Sequence, residues 1–170
     1  MKQYILLTFI ILTGCTTIFK LNEAPQPSGN YIVGTVDFYW VDLDRLEDNS
    51  PSNKNRELMV KVWYPGSSSD PGEKMSRIEN PELLIKSLSE EFGLPTATMA
   101  NLKNIKSYSI QDIEPNNTDS PYPLILFSHG LGGMKTQNLI QIEELVSHGY
   151  IVAACDHTYD AYKTYFPDGR

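Results

Sequence analysis

Two runs of strand-forming residues open the region that is expected to fold. Residues 31–40 are rich in β-branched and aromatic side chains, a composition typical of a β-strand. A polar stretch at 47–56 follows, and residues 58–64 form a second such run, which Pro65 and Gly66 end. Because parallel strands need a long crossover connection and antiparallel strands do not, the short polar loop predicts an antiparallel pair.

The next pattern is helical. Asn80 is a favourable cap residue and is followed by Pro81, which favours the first position of a helix. Apolar residues then recur at every fourth position as far as Phe92, and Gly93 is a typical residue for ending a helix. A weaker helical pattern follows Pro95, and the pair is expected to pack on a sheet.

The most informative pattern lies between residues 122 and 157. Residues 123–127 and 150–155 are continuous apolar runs, as expected for strands that are buried on both faces of a parallel sheet. The segment between them has an apolar helical face formed by Leu139, Ile142, Leu145 and Val146. A strand, a glycine turn, a helix and a strand in this order predict a βαβ unit. The fold class is therefore α/β, with antiparallel opening strands followed by a parallel βαβ unit.

The first fifteen residues are predicted to be a signal peptide. The apolar run at 5–12 follows Lys2 and is far shorter than the ~18–20 residues that span a bilayer, which argues against a transmembrane helix. It leads into Leu12-Thr13-Gly14-Cys15, which resembles the bacterial lipobox, in which the cysteine is lipidated and becomes the mature N-terminus. An ordinary secretory signal is the alternative.

The chain is thereby divided into three parts. After the signal peptide, residues 16–30 contain several Pro, Ser and Gly residues and are expected to tether the protein to a membrane. Residues 31–170 are expected to form the N-terminal part of a folded domain that is incomplete in this sequence. The lipobox resemblance implies an exported bacterial cell-envelope lipoprotein that is held at the membrane through its lipidated Cys15.

Charge and composition exclude several classes of protein. Among 170 residues, 14 Lys and Arg face 21 Asp and Glu, a net charge of −7, which argues against a nucleic-acid partner. Two cysteines, Cys15 and Cys155, cannot form a disulfide-rich scaffold. Asp156 and His157 are adjacent on a strand, where successive side chains diverge, and no third ligand is evident, so no metal site is expected.

Three glycines, Gly130, Gly132 and Gly133, cluster where the first buried strand meets the helix. Glycine permits a positive φ and a close approach of a ligand to the backbone, and freed amides before a helix can bind an anion. Their spacing fits neither the phosphate loop nor the dinucleotide-binding motif. Two interpretations stay open from the residues alone: an oxyanion hole, and a tight turn with no ligand.

Two long sequences in this region resemble the platelet-activating factor acetylhydrolase family of α/β-hydrolases. They are YPLILFSHGLGG at 122–133 and SHGYIVAACDH at 147–157. Segments 31–37, 62–65 and 166–169 also match in order, so the resemblance covers about residues 29–170. The fold implied is the N-terminal half of an α/β-hydrolase domain.

The resemblance also implies an activity. Family members are serine esterases that remove short or oxidised acyl chains from phospholipids and use no metal or other cofactor. By this resemblance the backbone amide of Leu131 contributes to the oxyanion hole, and His129, Gly130 and Gly132 contribute to substrate binding. The expected partners are a small-molecule ester or phospholipid and, through Cys15, a membrane.

The sequence departs from the family pattern in one important respect. No G-x-S-x-G occurs in the 170 residues, and all three histidines precede the place where the nucleophile would come, whereas in this fold the order is Ser, Asp, His. Ser128 is interpreted as structural. We therefore expect either the N-terminal part of a longer esterase or a truncated and inactive product. A lipase, polyester or dienelactone hydrolase and a non-catalytic binding lipoprotein are alternatives, and the oligomeric state is not predicted.

Overall fold

A mixed sheet of six strands organises the computed structural model, which describes residues 24–49, 53–67, 74–76 and 78–170. The strands are β1 (Ile32–Leu46), β2 (Asn55–Gly66), β3 (Lys74–Ser76), β4 (Lys106–Gln111), β5 (Leu124–Ser128) and β6 (Ile151–Asp156). The helices are α1 (Pro81–Phe92), a 3₁₀ helix (Thr96–Asn104) and α2 (Leu139–Ser147). None of these helices, within the described ranges, has the length and apolar character that crossing a membrane requires.

The sheet order is β3-β4-β1-β2-β6-β5, and it confirms the predicted α/β class. β1 and β2 pair antiparallel. β5 and β6 pair parallel, and α2 connects them in the chain. β6 lies between β5 and β2, and it is antiparallel to β2. The two predicted units, the antiparallel pair and the βαβ unit, are thus joined into one sheet through the contact between β2 and β6.

The strands β1 and β2 are longer than their sequence patterns suggested, whereas β5 and β6 have the predicted lengths. β1 continues to Leu46, well past the predicted end at residue 40, because β2 starts at Asn55 and supplies partners for Val41, Asp42 and Leu46. α1 has the predicted bounds, and Gly93 ends it with a φ of 65°. The side chain of Asn80 makes no capping hydrogen bond, however, because this residue itself has a left-handed backbone.

Strand β4 has no counterpart among the predicted elements. Its sequence, Lys106–Gln111, places serines at positions where a strand usually has apolar residues, and Ser107 and Ser109 are nevertheless buried. Both serine hydroxyls donate to Oε1 of Glu143 on α2, at 2.5 and 2.8 Å. The backbone amides of Tyr108 and Ser109 donate to the same oxygen at 2.7 and 2.9 Å. A buried carboxyl group therefore replaces apolar packing between this strand and the helix.

The hydrophobic core lies between α2 and one face of the sheet. It consists of Val33, Trp63, Leu139, Ile142, Val146, Val152 and Ala154. On the opposite face of β5, Leu124 and Leu126 are 60% and 78% exposed, and β5 is one of the two edge strands of the described sheet. The sequence pattern predicted a strand that is buried on both faces, and within the described residues only the face with Ile125 and Phe127 packs on the core.

The last residues of the predicted tether contact the helix α2. The backbone amide of Ser28 donates to Glu144 at 2.8 Å, and the amides of Gly29 and Tyr31 donate to the side chain and carbonyl of Ser147, both at 3.0 Å. A Cβ on Gly29 would lie 2.0 Å from the Ser147 carbonyl oxygen, so only glycine fits there. Residues 28–31 are thus fixed on the C-terminal end of α2. The predicted signal peptide, Cys15 and residues 16–23 lie outside the described residues.

Candidate active site

The candidate site lies where the parallel strands β5 and β6 end side by side. Their register pairs Ser128 with Cys155, so the residues that follow each strand meet at one edge of the sheet. In open α/β sheets the crevice at the carboxyl ends of the strands is the usual place for a ligand. We call residues 129–135 the glycine turn. The segment 157–162, which follows β6, packs beside it through the hydrogen bond from Tyr162 N to Gly133 O at 2.9 Å.

Histidines from the two strand ends contact each other. The rings of His129 and His157 lie 4.7 Å apart between centroids, and the backbone N–H of His157 donates to Nε2 of His129 at 3.0 Å. The Nδ1 atom of His129 lies 2.8 Å from the Gly130 carbonyl oxygen. His129 is 7% exposed, and both ring nitrogens face backbone groups. This geometry differs from the expectation that His129 binds substrate, since neither nitrogen is left to contact one.

Ser128 is exposed and its hydroxyl lies 2.7 Å from Nε2 of His157. The predicted βαβ unit was the signal for this contact, because it places residues 128 and 157 at the ends of two parallel strands. The register in the structure brings them side by side. The thiol of Cys155 lies 3.9 Å from Nδ1 of the same ring. Burial, and then the charge of Asp156, raise the pKa of this thiol, which is the opposite of what a thiol nucleophile needs.

The three glycines of the turn have different roles. Gly132 has a φ of 71°, a left-handed conformation, and its amide donates to the Asp160 carbonyl at 2.9 Å. The amide of Gly133 donates to the Gly130 carbonyl at 2.8 Å, and a Cβ on Gly133 would lie 2.9 Å from that oxygen. Gly130 has neither constraint: its φ is not positive and a Cβ there would meet no atom within 4 Å. Its flank of the turn is open.

Leu131 lies at the tip of the turn with a side chain that is 92% exposed. Its backbone amide has no hydrogen-bond acceptor within the part of the chain that the structure describes, whereas the next two amides both have one. The turn therefore presents one free N–H donor at the edge of the sheet. A free, preorganised donor of this kind can stabilise negative charge on a bound oxygen.

Buried charged side chains hold Lys135, the last residue of the glycine turn. The carboxylate of Asp156 accepts from the backbone N and from Nζ of Lys135, at 2.7 and 2.8 Å. Lys135 also pairs with Glu79 at 2.6 Å, and Glu79 pairs with Lys61 at 3.1 Å. Asp37 is the fifth member and contacts Lys61 at 2.7 Å. We call these five residues the charge network.

The charge network favours the ionised forms of Glu79 and Lys135. For Glu79, burial acts to raise the pKa, but Lys135 and Lys61 together outweigh it, so the pKa is lowered. For Lys135, burial acts to lower the pKa, but Glu79 and Asp156 outweigh it, so the pKa is raised. The network ties the glycine turn to β6, to β2 and to the segment before α1. Of its members the sequence analysis considered only Asp156, and the lysines carried no motif that could have identified them.

The diverging side chains of Asp156 and His157 match the sequence expectation for neighbours on a strand. Asp156 points to Lys135 within the charge network, and His157 points to Ser128. Within the described ranges, no three His, Cys, Asp or Glu side chains are grouped closely enough to hold a metal ion. An open cavity of about 470 Å³ adjoins the network, lined in part by Met59, Lys61 and Tyr165.

Fold and turn together define the class: an α/β protein with a free backbone donor at the carboxyl end of a parallel strand. The family model described as "Platelet-activating factor acetylhydrolase, isoform II" matches residues 16–169. The chain belongs to this family, as the resemblance in its sequence implied.

Individual relatives agree with this assignment. The platelet-activating factor acetylhydrolase of Canis lupus familiaris is 31% identical over 145 residues, 81% of this chain and 29% of the relative. That of Cavia porcellus is 29% identical over 83% of this chain and 30% of its own length. A ferulic acid esterase from Streptomyces cinnamoneus has a solved structure with a TM-score of 0.65 and 33% identity, over 85% of this chain and 38% of that one. The chain thus spans less than a third of the length of these two acetylhydrolases.

Proposed function

We propose that this chain supplies the oxyanion-binding side of the active site of a serine ester hydrolase that removes short or oxidised acyl chains from phospholipids. The observation that carries the proposal is the free backbone amide of Leu131 at the end of β5. Family membership supports the reaction class, because the curated relatives are acetylhydrolases and the solved neighbour is an esterase.

The proposed reaction is acyl transfer followed by hydrolysis. A serine hydroxyl attacks the ester carbonyl while a base removes its proton, and the carbonyl oxygen becomes an oxyanion. The Leu131 N–H donates to that oxygen, and one such donor contributes about 2.7–4 kcal/mol of transition-state stabilisation. The tetrahedral intermediate expels the alcohol, here a lysophospholipid, which takes up the proton. Water then cleaves the acyl-serine by the same steps.

The remaining catalytic groups are assigned outside these residues. No G-x-S-x-G occurs in the 170 residues, and the family order places the acid and the base after the nucleophile. The open flank of Gly130 and the left-handed Gly132 give the substrate carbonyl access to the turn. No cofactor is part of the proposed reaction.

The decisive experiment compares a variant that lacks the backbone N–H of residue 131 with a variant that changes only its side chain. Leu131→Pro lacks the backbone N–H, and Leu131→Ala keeps it. In the full product of the reading frame that encodes this chain, we expect kcat for release of acetate from 1-alkyl-2-acetyl-glycerophosphocholine to fall about 100- to 1000-fold for the Pro variant, in line with the loss of one oxyanion donor. The Ala variant should stay within a few-fold of wild type.

Sequencing past the codon for Arg170 comes first, because it decides what to assay. A continuing frame with a G-x-S-x-G, and then Asp and His, supports the proposal. A stop codon there, or a product that hydrolyses no ester, would leave the non-catalytic binding lipoprotein as the better account. Equal kcat values for the Pro and Ala variants would remove Leu131 from the mechanism.

A second candidate substrate follows from the solved neighbour. That protein, at 33% identity, is a ferulic acid esterase, so an aromatic acid ester is an alternative to a short-chain phospholipid. The same product is assayed with methyl ferulate and with the acetylated phospholipid at equal concentration. A higher kcat/KM for methyl ferulate would replace the phospholipid assignment and keep the oxyanion role of Leu131.

We also propose that Cys15 is lipidated and that the protein is exported and held at the cell envelope. The support is the lipobox-like sequence, together with a family match that begins at residue 16, directly after this cysteine. We expect Cys15→Ser to abolish both labelling by radioactive palmitate and membrane fractionation. Cys155→Ser is the matched control and should keep both. Unchanged membrane fractionation of the Cys15 variant would contradict the proposal.

A further inference from the structure

We propose that His129 is a positioning residue: a neutral imidazole with its proton on Nδ1 that fixes the Gly130–Leu131 peptide so that the Leu131 amide faces the oxyanion. This inference rests on the proposed function, because it explains what orients the Leu131 N–H that donates to the oxyanion in the proposed reaction. It replaces the expected substrate contact of His129 with a contact to the backbone of the glycine turn.

The tautomer of His129 follows from its two partners. A backbone amide can only donate, so the His157 N–H at 3.0 Å requires a lone pair on Nε2 of His129. A neutral imidazole with an unprotonated Nε2 carries its proton on Nδ1. Nδ1 is therefore the donor to the Gly130 carbonyl oxygen at 2.8 Å. The opposite tautomer would face one N–H group with another and leave a lone pair against a carbonyl.

The orientation of the Leu131 amide follows from the same carbonyl. Gly130 O accepts two hydrogen bonds of 2.8 Å, one from Nδ1 of His129 and one from the amide of Gly133. Two donors occupy both lone pairs of that oxygen and fix the plane of its peptide. In a trans peptide the carbonyl and the N–H point in opposite directions, so the Leu131 N–H must point away from His129 and from the inside of the turn.

The surroundings hold the imidazole itself in place. His129 is buried against the ring of His157, whose Nε2 lies 2.7 Å from the Ser128 hydroxyl. The histidine pair thus links the ends of β5 and β6 to the peptide that carries the free donor. A hydrophobic residue of similar size would fill the space, but it would supply neither the donor nor the acceptor.

The kinetic test separates the two nitrogens of His129. The side-chain amide nitrogen of Asn takes the place of Nδ1, whereas that of Gln reaches the place of Nε2, and Leu offers no polar group. In the full product of the reading frame, we expect His129→Asn to keep kcat within about tenfold of wild type. His129→Gln and His129→Leu should lower kcat about 100-fold, the low end of the range for losing one oxyanion donor. KM should change little, because the oxyanion forms only in the transition state.

A matched control is available on the surface. His148 on the C-terminal side of α2 is exposed and contacts Glu144 and Ser28, so His148→Asn should leave kcat unchanged. Rescue by Asn but not by Gln is a pattern that a merely space-filling histidine would not produce. Equal losses for Asn, Gln and Leu, or a Leu variant with wild-type kcat, would overturn the positioning role.

A spectroscopic measurement keeps this inference independent of activity. The ¹⁵N shifts of the His129 imidazole at neutral pH should show a protonated Nδ1 and an unprotonated Nε2, and His129→Leu should shift the Leu131 amide resonance. A protonated Nε2 would refute the inference even in an active esterase. Absence of ester hydrolysis in the wild type would refute the proposed function, and the tautomer would still be decided by the NMR spectrum.

Discussion

Two buried carboxyl groups, one on the helix α2 and one at the end of the strand β6, are held in contrasting ways. Glu143 on α2 and Asp156 at the end of β6 are each 1% exposed. Glu143 accepts four hydrogen bonds from neutral donors of β4, and no ion pair to it is found among the described residues. Asp156 instead accepts from the ammonium group and amide of Lys135, which also pairs with Glu79.

The contrast distinguishes a carboxyl group that joins two elements of the fold, Glu143, from one that holds the glycine turn of the candidate site, Asp156. Around Glu143 the four donors of β4 converge on one oxygen, Oε1, so this carboxyl group joins the strand to the helix. Around Asp156 the ion pairs hold the end of the glycine turn, while Leu131 at its tip keeps a free amide. Charges are costly to bury, and their retention beside this turn suits a role in fixing the backbone geometry there.

The largest loss of stability is expected at Glu143. Glu143→Ala leaves the buried donors of Ser107, Tyr108 and Ser109 without their acceptor, and we expect the free energy of unfolding to fall by about 3–5 kcal/mol. Glu143→Gln keeps an oxygen acceptor and should lose about half as much. Urea denaturation of the full product measures both. If Ala were no worse than Gln, the hydrogen bonds would not be what joins β4 to α2.

The second largest loss of stability is expected in the charge network. Asp156→Asn keeps an oxygen for the Lys135 amide but removes the negative charge, and Glu79 still pairs with Lys135. We expect a loss of about 2–3 kcal/mol in the free energy of unfolding, less than for a fully unpaired buried charge. Unlike either Glu143 variant, this one should also lower kcat, since the network holds the glycine turn. A normal kcat at reduced stability would assign the network to stability alone.

A smaller effect distinguishes the glycines of the turn. Gly133→Ala places a Cβ 2.9 Å from the Gly130 carbonyl oxygen, and we expect a loss of about 1–3 kcal/mol, because a backbone atom cannot move aside easily. Gly130→Ala meets open space at an ordinary φ and should change the free energy of unfolding by less than about 0.5 kcal/mol. Its kcat/KM should nevertheless fall if the substrate approaches this flank. Equal stabilities for the two variants would contradict the turn geometry.

The features of the fold that could be predicted from the sequence are those that depend on local patterns. The βαβ unit, the bounds of α1 and the glycine turn all follow from apolar periodicity and from residues with special backbone preferences. β4 was missed because its buried serines are stabilised by Glu143, more than thirty residues further along the chain. The charge network and the orientation of His129 were missed for the same reason. Contacts between distant segments determine them, and no short motif records such contacts.

The smallest expected effect concerns the pH dependence of the charge network. The pKa of Glu79 is lowered in the folded state, because Lys135 and Lys61 outweigh the opposing effect of burial. Its stabilising contribution is therefore complete above the unfolded pKa of about 4.3 and is lost as the pH falls through the lower folded value. Glu79→Gln should cost about 1 kcal/mol at pH 7, and the difference from wild type should shrink towards pH 3.

A glutamate outside the network provides the comparison for that measurement. Glu90 on α1 lies 4.0 Å from Lys86 with both side chains about 70% exposed, so Glu90→Gln should differ from wild type only slightly at any pH. Free energies of unfolding from urea titrations between pH 3 and pH 7 give both curves. If the Glu79 and Glu90 variants followed the same pH dependence, the ion pairs to Lys135 and Lys61 would not hold Glu79 ionised. The turn would then be fixed mainly by Asp156 and His129, whose hydrogen bonds to its two ends do not involve Glu79.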